Sequence, residues 1–286
     1  MKLLVTGGSG FLGKRVAAHF AGLGWDVLTP GHKELDITDE AAVLSWFREN
    51  RPDAVIHTAA VSDTGACQRD PEWSETINVA GTVHMAKGCR QVGAKLAICS
   101  SDQVYFRSRI PGPHKESEAL EPGNVYGGQK LRAEQLALEI WPETVCLRLA
   151  WMYARDVLPG DRGHFLATIK AVLEDETKTM TWPVHDIRGI TDTKWVVQNL
   201  PAALALPGGV WNFGSENHGS TSALVKSVLE QLGQESALRR LTPNEEAFAD
   251  IPRDISMDPG KLNAAGIFFP TTEDGLRMAL QADALT

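Results

Sequence analysis

The chain has 286 residues, 43% hydrophobic and 22% charged, a globular composition long enough to bury a large core without disulfide or metal staples. Acidic residues outnumber basic ones by 36 to 28, and the net charge of −8 argues against a general nucleic-acid binder, which needs a basic surface. Four cysteines, at 67, 89, 99 and 146, lack zinc-knuckle or redox-dithiol spacing, and the eight histidines show no metal-ligand pattern, so no metal is expected.

The opening apolar stretch, residues 1–5, is too short for a signal peptide, and no window approaches the ~18 apolar residues of a membrane helix. A cytoplasmic protein is expected. Residues 2–6 form an apolar run that ends in glycine. Phe11, Leu12, Val16, Phe20 and Leu23 then recur at helical spacing, closed by Gly24. A second short run covers 26–29. Thr38 or Asp39 can cap a helix carrying Val43, Trp46 and Phe47. Strands are expected at 54–58, 96–100 and 145–149, with helices at about 72–90 and at 126–140.

Strands of four to six residues alternating with helices predict right-handed βαβ units. The fold class expected is α/β, a Rossmann-type doubly wound parallel sheet with a smaller carboxy-terminal substrate lobe. After Leu149 the pattern loosens. Helices are expected at 164–173 and 192–200, a strand at 209–213, a helix from Ser220 to Gly233 and a last helix from Thr272 to about Gln281; residues 243–259 read as irregular. The dinucleotide-binding domain is placed at 1–150, with a returning segment at about 188–214. The substrate lobe takes 151–187 and 215–286.

Thr6-Gly7-Gly8-Ser9-Gly10-Phe11-Leu12-Gly13 stands between the first strand and the first helix. Glycine lets the backbone turn tightly and approach a pyrophosphate, whose charge meets the N–H groups at a helix start. A tight structural turn accounts for one or two glycines but not for four at these positions. An acidic residue ending the second strand would favour NAD. Thr29-Pro30-Gly31-His32-Lys33 has none, and His32 and Lys33 can meet a phosphate, so NADP is the expected cofactor, with NAD the alternative. A solvated basic pair in a turn is the competing account. Asp36 either accepts from an adenine amino group or is a turn residue.

Tyr126 and Lys130 are four apart on an expected helix and share a face. Ser100 and Ser101 end a strand. Reduction of a ketone needs a hydride donor, a proton donor for the forming alkoxide and a hydrogen bond to the carbonyl. A phenol, with a pKa near ~10, releases its proton poorly at neutral pH, and a neighbouring ammonium favours the phenolate. Tyr126 is therefore the expected acid, Lys130 its tuner and Ser101 the carbonyl anchor; Lys130 can also bind the ribose next to the nicotinamide, so Tyr126 and Lys130 count among the expected cofactor-binding residues as well.

With these residues in place the chain resembles the extended short-chain dehydrogenase/reductases, and more narrowly the dTDP-4-dehydrorhamnose reductase family. The likeness rests on Gly7, Gly10 and Gly13; Leu35-Asp36-Ile37-Thr38; Arg51-Pro52-Asp53; Ala59-Ala60; Asn78; Ser100-Ser101-Asp102-Gln103-Val104-Tyr105; Asn124-Val125-Tyr126-Gly127 with Lys130; Leu147-Arg148 with Trp151 and Tyr153; and Asp258 with Lys261-Leu262. The resemblance implies that Ser101, Tyr126 and Lys130 are the catalytic triad. It implies that Gly10, Phe11, Leu12, Asp36, Ile37, Ala59 and Ala60 line the dinucleotide, and that Ser62, Asp102 and Trp151 face a nucleotide sugar. A homodimer through the helices at 73–92 and 126–140 would follow many relatives.

The chain departs from the family in its later half. Asp186-Ile187-Arg188-Gly189-Ile190-Thr191-Asp192 keeps only the Asp and Gly of the family's Asp-Gln-x-Gly-x-Pro-Thr, His164-Phe165 replaces Asn-Phe, and Ile251-Pro252 replaces Arg-Pro. A diphosphate still needs cations, for which Arg148, Arg188 and Lys170 are candidates. Gln103 cannot ionise where sugar-nucleotide dehydratases carry a glutamate, which disfavours dehydration. The expected function is an NAD(P)H-dependent reductase acting at a keto carbon, C4 of a nucleotide-linked deoxysugar. The alternatives are a 4-epimerase and a non-catalytic NADP-binding regulatory subunit.

Overall fold

The structure, a computed structural model, describes residues 1–161 and 165–283; His164, at the head of the helix expected at 164–173, lies outside the described residues. In chain order the elements are β1 (Lys2–Thr6), α1 (Gly13–Gly22), β2 (Asp26–Leu28), α2 (Glu40–Asn50), β3 (Ala54–His57), α3 (Thr64–Arg69), α4 (Pro71–Glu75), a π-helical turn (Thr76–Ala80), α5 (Gly81–Val92), β4 (Lys95–Ser101), a 3-10 turn (Asp102–Tyr105), α6 (Val125–Ile140) and β5 (Val145–Leu149). There follow β6 (Trp151–Tyr153), α7 (Phe165–Glu174), β7 (Met180–Pro183), β8 (Asp186–Ile187), β9 (Ile190–Asp192), α8 (Thr193–Ala203), β10 (Gly209–Phe213), α9 (Thr221–Gln231), α10 (Glu235–Leu238), β11 (Leu241–Asn244), β12 (Arg253–Asp254), α11 (Gly260–Ala264) and α12 (Thr272–Asp283).

The chain divides into two compact units. The first contains Met1–Val104, Leu120–Leu149 and Val197–Trp211; the second contains Tyr105–Ala119, Ala150–Val196 and the residues from Asn212 onward. Residues 105–119, inside the domain expected at 1–150, cluster with the second unit.

In the first unit the sheet runs β10-β5-β4-β3-β1-β2, and the pairs from β2 to β5 are parallel. The strands are continuous apolar runs because helices cover both faces: Leu3, Leu4, Val5, Val55, Ile56 and Leu147 are all buried. Val43 and Phe47 of α2 and Met85 and Cys89 of α5 pack with Leu4, Val55 and Leu96 in one core. Asp39 caps α2 by accepting from the Ala42 N–H at 3.0 Å. The chain order reverses at β1, which has β2 on one side and β3 on the other. In an open α/β sheet this switch point, at the carboxyl ends of the strands, is where ligands bind.

The continuous helix expected at about 72–90 is α4, the π turn and α5 in succession. A π turn adds a residue to one helical turn and re-aims the side chains, which is why such turns recur at functional sites. Here it turns Asn78 inward, where its Nδ2 donates to Gln129 Oε1 of α6 at 2.9 Å.

The second unit explains why the pattern loosened after Leu149. Its strands are two to four residues long and pair in parallel as β6 with β9, β7 with β11 and β8 with β12. Segments that short carry no readable alternation. The stretch 243–259, expected to be irregular, holds β12 and part of β11. A bidentate pair fixes β12 to β8: Arg253 Nε and Nη2 each donate to Asp186 at 2.7 Å. The unit's core gathers Tyr153, Phe165, Ile169, Val225, Val228 and Leu276. Among the described residues no helix is long and apolar enough to cross a membrane. On the two helical stretches expected to pair two copies, Trp73 is the one exposed large hydrophobic among the described residues.

Candidate active site

Two adjoining features occupy the carboxyl ends of the strands in the first unit. The first is a cavity of about 490 Å³ lined by residues 6–9, 29–32 and 35–38, with Ala59, Trp73, Thr76 and Ile77. Its floor is the loop after β1. Gly7 sits at φ +67°, and the Gly10 N–H donates back to the Gly7 carbonyl at 2.8 Å. A Cβ on Gly13 would stand 2.1 Å from the same carbonyl oxygen, so only glycine lets α1 start this close to the turn. The result is a helix N-terminus opening beside bare backbone, a cradle suited to a pyrophosphate. At the far end Asp36 Oδ1 accepts from the Thr38 N–H and hydroxyl at 2.9 and 2.7 Å, which holds its carboxyl below the usual range. Its other oxygen faces His32 Nδ1 at 3.7 Å. That oxygen can accept from an adenine amino group, so the cavity's shape and donor set fit a dinucleotide.

The second feature is a cluster of buried side chains after β4. Ser101 ends the strand, and its hydroxyl donates to Asp102 Oδ1 at 3.2 Å. The Ser101 hydroxyl lies near enough to the Tyr126 phenol to favour its ionised form. Lys130 Nζ donates to the Cys99 carbonyl at 2.9 Å and lies 5.7 Å from the centre of the Tyr126 ring. Gly127 allows this meeting: a Cβ there would come within 2.3 Å of the Gln103 carbonyl, so the first turn of α6 can pack against the 3-10 turn only without a side chain at this position. Asn124 caps α6 by accepting from the Gly127 N–H at 2.7 Å, and its Nδ2 donates to Gln103 Oε1 at 3.0 Å.

The electrostatics of this cluster differ from the sequence expectation in one respect. Burial pushes the Tyr126 phenol up, and the neighbouring Ser101 hydroxyl only partly opposes this. The phenol therefore keeps its proton at neutral pH despite the nearby ammonium. Burial also lowers Lys130, against the pull of Cys99, Glu134 and Cys67. Cys99 is pushed up to about 12 by burial. His57, ending β3, is held down to about 3 by burial and then by the Lys130 charge, so it is a neutral imidazole.

The structure brings Ser101, Tyr126, Lys130 and Asp102 together, and separately brings Gly7, His32, Asp36, Ile37 and Ala59 to the cavity wall. Gly10, Phe11, Leu12, Gly13, Lys33 and Ala60 flank that wall in sequence without lining it. Phe11 lies under the Arg15 guanidinium at 4.6 Å, and Lys33 is exposed. Ser62 is exposed on the loop after β3. Trp151 belongs to the second unit, where the Arg188 guanidinium stacks on its ring at 5.2 Å. Trp73, Thr76 and Ile77 were not expected at the cavity. Their spacing could have flagged them, since Trp73 and Ile77 are four apart on one helical face. Among the described residues no cluster of His, Cys, Asp or Glu could hold a metal ion.

Residues 1–284 match the family model described as RmlD substrate binding domain. The dTDP-4-dehydrorhamnose reductase of Streptomyces griseus is 32% identical over 279 residues, 92% of this chain and 88% of that protein. The methionine adenosyltransferase 2 subunit beta of Xenopus laevis is 33% identical over 159 residues, 53% of this chain and 47% of that one. The solved structure of the Bacillus anthracis dTDP-4-dehydrorhamnose reductase in complex with NADP superimposes with a TM-score of 0.84 at 22% identity, covering 98% of each chain.

Proposed function

Because the chain belongs to the RmlD substrate binding domain family, we propose that it is a cytoplasmic, NADPH-preferring reductase acting on C4 of a nucleotide-linked deoxysugar ketone. The observation that carries this reading is the meeting of Ser101, Tyr126 and Lys130 beside a glycine-floored cavity of the same unit. The loop from Gly7 to Gly13, with Asp36, Ile37 and Ala59, would hold the dinucleotide, which when bound supplies the hydride. Ser101 donates a hydrogen bond to the substrate carbonyl and fixes its orientation. Tyr126, kept protonated by its burial, passes its phenolic proton to the oxygen as the alkoxide forms. The resulting phenolate is a buried anion, and the Lys130 ammonium beside it lowers the cost of that charge. After product leaves, solvent restores the phenolic proton.

The test is consumption of NADPH with dTDP-4-dehydro-6-deoxysugars, run with the wild type and with Tyr126→Phe. Loss of the phenolic proton should lower kcat by about 10²- to 10⁴-fold. The dinucleotide Kd should stay unchanged. Turnover by the wild type should be flat through neutral pH and fall on the alkaline side, where the phenol loses its proton. A wild type that binds NADPH but reduces no ketone and captures a second enzyme would instead favour a regulatory subunit, the role that the similarity to a methionine adenosyltransferase beta subunit suggests.

A further inference from the structure

One turn beyond Lys130 on α6 lies a charged cluster that plays no part in the steps above. Glu134 is 1% exposed, and Arg148 of β5 and Ser100 of β4 are 3% and 4% exposed. Arg148 donates through Nε to Glu134 Oε1 at 3.0 Å and through Nη2 to Oε2 at 2.7 Å. The Ser100 hydroxyl donates to Oε1 as well. Ser100 and Arg148 are direct partners in the β4–β5 ladder, so one helical carboxylate grips two neighbouring strands at the same level.

An ion pair this deeply buried is weak evidence for stability. Desolvation offsets much of the attraction, and apolar side chains of similar volume often replace such a pair without loss. Apolar packing does not, however, dictate register. A carboxylate satisfied by a fork from one strand and a hydroxyl from the next is satisfied at one height of the helix along the sheet. Sliding α6 would break this buried ion pair. That same height delivers Lys130 Nζ to the Cys99 carbonyl and Tyr126 to Ser101, the residues on either side of Ser100.

We propose that Glu134 is a positioning residue, which by its pairing with Ser100 and Arg148 sets the register of α6 and so the place of the Lys130 ammonium and the Tyr126 phenol. The inference rests on reading Ser101, Tyr126 and Lys130 as the reaction centre. Lys130 is faced by Tyr126 and Glu134 of its own helix, Cys99 of β4, Cys67 of α3 and His57 of β3. Among these the Glu134 carboxylate favours the charged ammonium that burial opposes.

Two variants test it, Glu134→Gln and the charge-free pair Glu134→Met with Arg148→Met. The first readout needs no substrate: the NMR titration of the Lys130 side chain, assigned with Lys130→Met. It should move to lower pH in Glu134→Gln. The second is turnover, in which both variants should lose kcat by about a hundredfold while the dinucleotide Kd holds. A folded Glu134→Gln protein with the wild-type Lys130 titration overturns the proposal, and so does a folded double variant with wild-type kcat. If neither variant folds, the cluster serves stability alone and the proposal is likewise overturned. A wild type that reduces no ketone overturns the functional reading instead, and the Lys130 titration then decides this inference by itself.

Discussion

The cavity after β1 and β3 is walled largely by backbone and short side chains, with a glycine turn for its floor. The cluster after β4 is made of side chains, and burial shifts Tyr126, Lys130 and Cys99 within it. The contrast follows from what each must do. A pyrophosphate is anionic at every working pH, so fixed N–H dipoles bind it without any titrating group. A proton transfer needs a group whose ionisation the protein controls, and a dry site gives the greatest control. Substitutions should therefore separate the two regions cleanly, binding in one and chemistry in the other.

Tyr126→Phe, the largest expected effect, lies wholly on the side of chemistry. Its counterpart is Gly13→Ala. The added methyl would meet the Gly7 carbonyl oxygen at 2.1 Å, and forcing it in should cost about 1–3 kcal/mol at the turn. Dinucleotide affinity should fall by roughly ten- to a hundredfold. Isothermal titration of both variants with NADPH decides the matter. A Gly13→Ala protein with wild-type affinity would break the contrast, as would a Tyr126→Phe protein that no longer binds.

His57 sits where the regions meet. Its Nδ1 pairs with the Thr6 hydroxyl of β1 at 2.7 Å, and its other ring nitrogen is buried without a hydrogen-bond partner among the described residues. With a folded pKa of about 3 against 6.5 unfolded, below pH 6.5 the unfolded chain takes up a proton that the folded one refuses. Stability should then drop by about 1.4 kcal/mol per pH unit as pH falls from 6.5 toward 3, and His57 adds nothing above 6.5. Urea midpoints of His57→Gln from pH 4.5 to 7 should show a shallower acid slope than the wild type. Parallel slopes would mean that His57 titrates alike in both states.

The sheet of the first unit could be read from its sequence because fully buried parallel strands are unbroken apolar runs, and the glycine turn because its close approaches exclude side chains. Ser101, Tyr126 and Lys130 were legible by spacing and chain order. What spacing could not convey was their dryness: the ammonium was expected to lower the phenol, and burial raises it. The π turn has no pattern in sequence, so the route by which Asn78 reaches α6 was hidden. In the second unit, strands such as Asp186–Ile187 are held by ion pairs and ladder bonds rather than by periodic apolar faces.

The smallest effect concerns which dinucleotide is preferred. His32 lines the cavity while its side chain is 81% exposed, and it stands 3.7 Å from Asp36. Lys33 next to it is exposed and off the wall. A contact this wet is worth at most about 1 kcal/mol and is screened by salt. His32→Ala should thus weaken NADPH binding about two- to fivefold and leave NADH unchanged. The gap should narrow as ionic strength rises. Equal losses for the two cofactors would show that His32 shapes the cavity without reading the 2′-phosphate. The carboxylate of Asp36, held ionised by Thr38, would then be the charge to alter next. Asp36→Asn would relieve its repulsion of the phosphate and should shift the preference further toward NADPH.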